Sequence, residues 1–175
     1  MALHKFRHFV KYILIDILLA ALISFVVINY LISAFKIDGD SMSPVLKAGE
    51  RILISKLAAR RGNFDRFDIV VFYKPDEPEK SLIKRIVGLP DEIIEIRQGE
   101  VLINYKPLKE GENLRVAAAG EDFKPLLIPR GHYFLLGDNR PVSRDSRLFG
   151  PVPQKYIYGK AIFRYWPLGR MGRFH

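Results

Sequence analysis

The chain has 175 residues, 49% of them hydrophobic and 27% charged, which suits one folded domain of ordinary size and excludes a disordered polymer. It contains no cysteine, which removes disulfides, thiolate zinc sites and cysteine nucleophiles together. The formal net charge is +9, of which residues 1–36 carry +3, a balance that suits an anionic membrane face or nucleic acid.

Residues 1–11 are polar and basic, with His4, Lys5, Arg7, His8 and Lys11. From Tyr12 to Phe35 the only charge is Asp16, and residues 17–35 carry none. A helix of about 20 residues at ~1.5 Å each crosses a hydrocarbon core of ~30 Å, so residues 12–35 are predicted to span a membrane. A cleaved signal peptide has a shorter apolar region and a small-x-small site; the nearest match here, Ile32-Ser33-Ala34, opens on a bulky residue. The span is therefore expected to stay attached. The Lys and Arg residues before it place the N-terminus in the cytoplasm and residues 36–175 outside, on a cell membrane.

Within a few residues of the span lies Gly39-Asp40-Ser41-Met42-Ser43-Pro44. Glycine and proline bracket a turn, so Ser41 is either a hydroxyl held on constrained backbone or part of an ordinary surface loop. The pattern alone does not separate the two.

Beyond Pro44 the chain reads as β. Residues 51–54, 68–73, 82–88, 92–96, 101–103, 131–136 and 156–165 are short runs rich in β-branched and aromatic residues. Gln98-Gly99-Glu100 reads as a hairpin turn, and residues 73–80, with Pro75 and Pro78 among charges, as a solvated loop. Residues 104–130 are expected to form a small insertion. The fold class is a mainly β, antiparallel domain preceded by one transmembrane helix.

The residue inventory narrows the chemistry. Of the four histidines, His4 and His8 precede the span and His175 is the last residue, which leaves His132 for a Ser-His-Asp arrangement. His132 stands at a strand start, where a structural role is favoured. No His-Glu-x-x-His spacing exists, so a zinc hydrolase is disfavoured and no metal is expected. A serine nucleophile without histidine needs another base, and a desolvated lysine serves. In a strand, Lys84 shares one face with Leu82 and Ile86, and Arg85 shares the other with Ile83 and Val87. Arg85 cannot usefully lose its proton, whereas Lys84 can. An edge-strand lysine reaching into solvent fits the pattern equally. A third stretch, Gly137 to Arg147, is a polar loop fed by an apolar strand, in which Asp145 and Arg147 can pair.

These stretches together resemble the type I signal peptidases, membrane-anchored Ser/Lys proteases. Gly39 to Pro44 is similar to the family's serine box, Arg66 to Phe72 to its strand box, Lys84 to Pro90 to its lysine box, and Gly137 to Arg147 to its final loop. The resemblance covers nearly the whole chain in the same motif order. It implies Ser41 as nucleophile and Lys84 as general base, with Ser143 bonded to that lysine and Asp145 with Arg147 as supporting ion pair. It carries the substrate pocket to Phe35, Ile37, Met42, Leu46, Ile52, Val71 and Ile83, shallow apolar positions suited to Ala-x-Ala sites bound as an added strand. It implies no cofactor. The expected partners are signal peptides of secreted preproteins and membrane lipid, with the secretion translocon a further candidate, and no nucleic acid. Three departures stand out. Gly39 occupies a position where some members carry a serine hydroxyl for the oxyanion; Phe67 stands where the family has glycine; and Asp91-Glu92 replaces Gly-Asp. Alternative readings are a mitochondrial inner-membrane peptidase of the same fold and a catalytically silent, membrane-anchored peptide-binding module. The self-cleaving repressors share Ser/Lys chemistry but lack a span.

Overall fold

The computed structural model describes residues 2–62, 64–109 and 122–174. Helix α1 (Ala2–Val26) continues as one π-helical turn, Val27–Leu31, and the segment Phe9–Leu31 is long and apolar enough to cross a membrane. The predicted span over 12–35 is thus cut at its outer end. Ile32–Lys36 leave the helix as strand β1, because they pair antiparallel with β2 (Arg51–Ser55) from Ile32 opposite Ser55 to Lys36 opposite Arg51. Sheet pairing satisfies their backbone groups where helix continuation would have competed.

The body is two antiparallel sheets. Strands β3 (Ile69–Lys74), β4 (Glu77–Gly88), β5 (Ile93–Arg97), β6 (Glu100–Ile103), β7 (Lys106–Pro107), β8 (Phe123–Leu127), β9 (His132–Leu136), β10 (Val152–Pro153) and β11 (Ile157–Trp166) complete the set. The larger sheet runs β1-β2-β11-β3-β4-β9-β10 and the smaller β7-β6-β5-β8. The antiparallel β class is as expected. Residues 110–121, the middle of the predicted insertion, lie outside the described residues, and the insertion's flanks form β7 and β8.

Two local differences have physical causes. The predicted loop over 73–80 is instead a hairpin, with Lys74 opposite Glu77 and Tyr73 opposite Ser81. Lys74 and Lys80 both pair with Glu77 and hold its carboxyl down at about 2, so the charges that suggested solvation close the turn. A short helix, α2 (Lys56–Arg61), follows β2 directly. Ser55 caps it by accepting from the Ala58 N–H at 3.2 Å, and Gly62 ends it in the left-handed region.

Alternation along the strands builds three apolar clusters. Ile69, Val71 and Ile83 pack with Ile37, Met42, Leu46, Ile52 and Ile54 in one; Val70, Phe72, Ile86, Tyr133 and Leu135 form a second on the other face. Val87, Ile94, Ile96, Val101, Phe134 and Leu136 form the third, which joins the two sheets. Each fully buried aliphatic or aromatic side chain contributes roughly 1.5–3 kcal/mol.

Candidate active site

Position 84 is fixed by β4, whose residues pair with Val70 at Lys84 and with Ile69 at Arg85. Both central cations are buried, Lys84 being 3% exposed and Arg85 6%. They meet different partners. Arg85 forms a bidentate pair with Asp138, at 2.8 and 2.7 Å, and also donates to the Phe67 carbonyl at 2.8 Å. Lys84 Nζ instead lies 2.7 Å from Ser41 Oγ, with which it forms its hydrogen bond. Burial pulls the Lys84 amine down from its ordinary 10.5 to about 8, against the opposing pull of the Asp145 and Asp138 carboxylates.

Ser41 rides on a turn that the polar loop holds from one side. Asn139 donates its N–H to the Ser41 carbonyl at 3.0 Å and its side-chain amide to the Asp40 carbonyl at 3.1 Å. Gly137 makes that approach possible. A Cβ there would collide with the Ser143 hydroxyl and lie 2.5 Å from the Ser41 carbonyl oxygen. Asp145, fully buried, accepts from the Gly137 N–H at 3.0 Å and from Arg147 Nε at 2.8 Å, so the expected ion pair is present and anchors the loop. It also caps the short helix α3 (Ser146–Phe149) through the Arg147 N–H.

Ser143 departs from expectation. Its hydroxyl is buried and has no hydrogen-bond partner among the described residues, so its predicted bond to Lys84 is absent from this structure. The side chain instead lies against Gly137.

The seven predicted pocket residues all fall in or against one cluster. Ile37, Met42, Leu46, Ile52, Val71 and Ile83 are buried in it, and Phe35 packs partly exposed on its edge. Six of them therefore form a floor rather than an open cavity. Gly39 has φ +84°, a left-handed backbone in which a serine would be strained, so this turn geometry itself disfavours a side-chain hydroxyl at that position. Phe67 takes φ 72°, the conformation that suits the family's glycine, and is held by its N–H to the Ile86 carbonyl. Glu92 occupies a structural post, accepting from Arg66 at 2.5 Å and from the Leu89 N–H at 2.8 Å. His132 Nδ1 faces the Arg130 carbonyl at 3.0 Å, in keeping with a structural role.

The family described as "Signal peptidase, peptidase S26" matches residues 8–166. This chain belongs to that family. It is therefore a peptidase of the type I signal peptidase kind, anchored to a membrane by its apolar helix. Among relatives, signal peptidase IB of Staphylococcus aureus (strain Mu50) is 32% identical over 170 residues, covering 88% of each chain. Probable signal peptidase I-2 of Synechocystis sp. is 36% identical over 149 residues, 82% of this chain and 67% of its own. The crystal structure of a signal peptidase I from Enterococcus faecalis V583 superposes with TM-score 0.51 and 36% identity, covering 56% of this chain and 96% of that one.

Sequence reasoning missed two parts of this S26 site. Glu50, 4% exposed, is gripped by Arg164 at 3.1 Å and Arg170 at 2.5 Å. The same two arginines donate to the Val45 carbonyl, and Arg170 also to that of Pro44. The cluster thus holds the chain just after Ser41. The Asp138 partner of Arg85 was also unassigned, although an arginine among Ile83 and Val87 on a strand face demands a buried acid.

Proposed function

We propose that Ser41 and Lys84 carry the signal peptidase reaction as nucleophile and general base. The carrying observation is the 2.7 Å contact between Ser41 Oγ and a buried Lys84 amine lowered to about 8. Once that amine is neutral, the serine hydroxyl donates in the same contact. As Oγ bonds to the scissile carbonyl carbon, its proton passes to Nζ. The C–N bond then breaks and Nζ returns the proton to the leaving amine. Water then bonds to the acyl carbon as it gives a proton to the same nitrogen, the ester C–Oγ bond breaks, and Nζ returns the proton to Ser41 Oγ as the acid leaves. The Ser41 N–H makes no hydrogen bond within the protein among the described residues, which leaves it for the oxyanion.

The substrate is the signal peptide of a secreted preprotein, cut after a small residue in Ala-x-Ala. Strand β9 pairs with β4 from Arg85 to Gly88, so on that side the edge from Ser81 to Lys84 stays open among the described residues, beside the proposed nucleophile. An extended peptide adds there as a strand. The buried floor of Met42, Ile52, Val71 and Ile83 leaves little depth, which fits alanine and excludes long side chains. The basic N-terminus lies in the cytoplasm and residues 36–175 outside the plasma membrane, where the translocon delivers preproteins.

A processing assay on an Ala-x-Ala preprotein in membranes tests this reading. Ser41→Ala and Lys84→Ala are each expected to abolish cleavage, and full activity from both sinks the mechanism.

A further inference from the structure

A second cleft, of about 760 Å³, lies apart from the Ser41–Lys84 pair, at the outer end of the membrane helix. Its walls include Asn29 of the last helical turn, Lys56 and Arg60 of α2, Lys155, and the tyrosines Tyr73 and Tyr158. Three cations line it and no carboxylate does. Among the described residues, none of the three forms an ion pair. Their places are nevertheless set. Lys56 Nζ donates to the Ile28 and Asn29 carbonyls, at 3.4 and 3.3 Å, two of the orphan acceptors that end the helix. Arg60 lies over the Tyr30 ring at 5.4 Å and Lys155 over Tyr156 at 5.4 Å. Tyr73 and Tyr158, also in the lining, stack at 4.4 Å.

We propose that this cleft binds the phosphate headgroup of an anionic phospholipid. Its height decides the ligand. Asn29 lies in the last turn of the span, which ends at Leu31, so the cleft stands at the headgroup layer and not out in the aqueous phase. Convergent unpaired cations select a phosphate, and amphipathic tyrosines suit the boundary between acyl chains and water. Below the cleft, Phe25 and Ile28 leave exposed apolar surface along which acyl chains can lie. The site requires the membrane helix and is independent of which residues cut the peptide.

Native mass spectrometry of the full chain, released from neutral detergent micelles doped with phosphatidylglycerol, tests the assignment. The wild type is expected to retain one phosphatidylglycerol and to discriminate against phosphatidylcholine. Replacing both free cations, Arg60→Gln with Lys155→Gln, is expected to weaken retention about thirtyfold, each surface cation contributing several-fold. The charge-keeping pair Arg60→Lys with Lys155→Arg should retain the lipid within threefold, as should a remote control, Lys106→Gln with Lys124→Gln. Equal retention of the two lipids overturns the proposal, as does unchanged retention in R60Q/K155Q. An equal loss in either control pair also overturns it, because fold or bulk charge would then be what the experiment reads. A soluble arm uses glycerol 3-phosphate. Competition at the lipid's own effective concentration would reassign the cleft to a free phosphate and overturn the lipid reading.

Discussion

Arg170 donates to the carbonyl of Pro44 at 3.1 Å, which ties the C-terminal turn to the segment that carries Ser41. The same guanidinium reaches Glu50 at 2.5 Å and the Val45 carbonyl at 3.3 Å, so one side chain closes three bonds across the loop. With Ser41 as the proposed nucleophile, Arg170→Ala is expected to lower kcat about tenfold with little change in KM, because its displacement harms the reacting geometry more than distant binding. It should also lower stability by about 1–3 kcal/mol, the usual loss for hydrogen bonds to charged groups. Steady-state kinetics beside a thermal melt separates the two effects, and an unchanged kcat would remove the cluster from the positioning of Ser41.

Cleavage should rise with pH. In the proposed mechanism the working base is the neutral amine, and Lys84 is lowered to about 8, so below that value each pH unit removes about nine-tenths of the active form. A plot of kcat/KM against pH is expected to show an acid limb near 8. Burial is the larger cause of the shift and the Asp145 and Asp138 carboxylates oppose it, so Asp138→Asn should move the limb downward. An upward move would mean that the carboxylate is not felt at the amine.

The same shift makes Lys84 a burden on the fold at neutral pH. Its folded value of about 8 lies below the ordinary 10.5, so the unfolded chain holds more protons between the two and stability rises across that window. Lys84→Met removes the buried cation and is expected to stabilise the protein by about 3 kcal/mol at pH 7, while flattening the rise between 8 and 10.5. Chemical denaturation at pH 7 and pH 10 measures both. A destabilised K84M would show that the lysine's contacts outweigh its desolvation.

Among the described residues the buried Ser143 hydroxyl has no partner, so its removal should not harm the folded state. Ser143→Ala is expected to leave the melting temperature equal or higher, and any loss of activity then reports a bond made only with substrate bound. Gly137→Ala is the contrasting case. Its methyl meets both Ser143 and the Ser41 carbonyl, and the forced shift should destabilise by about 1–3 kcal/mol and suppress cleavage. Normal turnover in G137A would show that the turn tolerates displacement.

Much of this was legible in residue order because strands carry period-two patterns. Leu82 to Gly88 announced β4, and Gln98-Gly99 announced a hairpin whose φ values are 51° and 79°. Ser41 and Lys84 stood out through motif resemblance and elimination, since only one histidine remained available. Three features were hidden for distinct reasons. Strand β1 was masked by the apolar run it continues, as Ile32 to Phe35 suit lipid and sheet alike. Helix α2 is only six residues long and is held by its caps and contacts instead of by amphipathic periodicity. The Glu50–Arg164–Arg170 cluster joins residues more than a hundred positions apart, and no local pattern encodes such a meeting.

Strand β1 begins at Ile32, immediately after the last turn of the membrane helix at Leu31. No tether separates the two, so rotation or lift of the peptidase body must bend a paired strand. The bilayer then acts as a ruler. With Ser41 as the proposed nucleophile, lengthening the helix by one turn would raise the whole sheet by about 5 Å and move the cut by one or two residues of an extended peptide, at about 3.3 Å each. Where the anchor ends fixes where the substrate is measured.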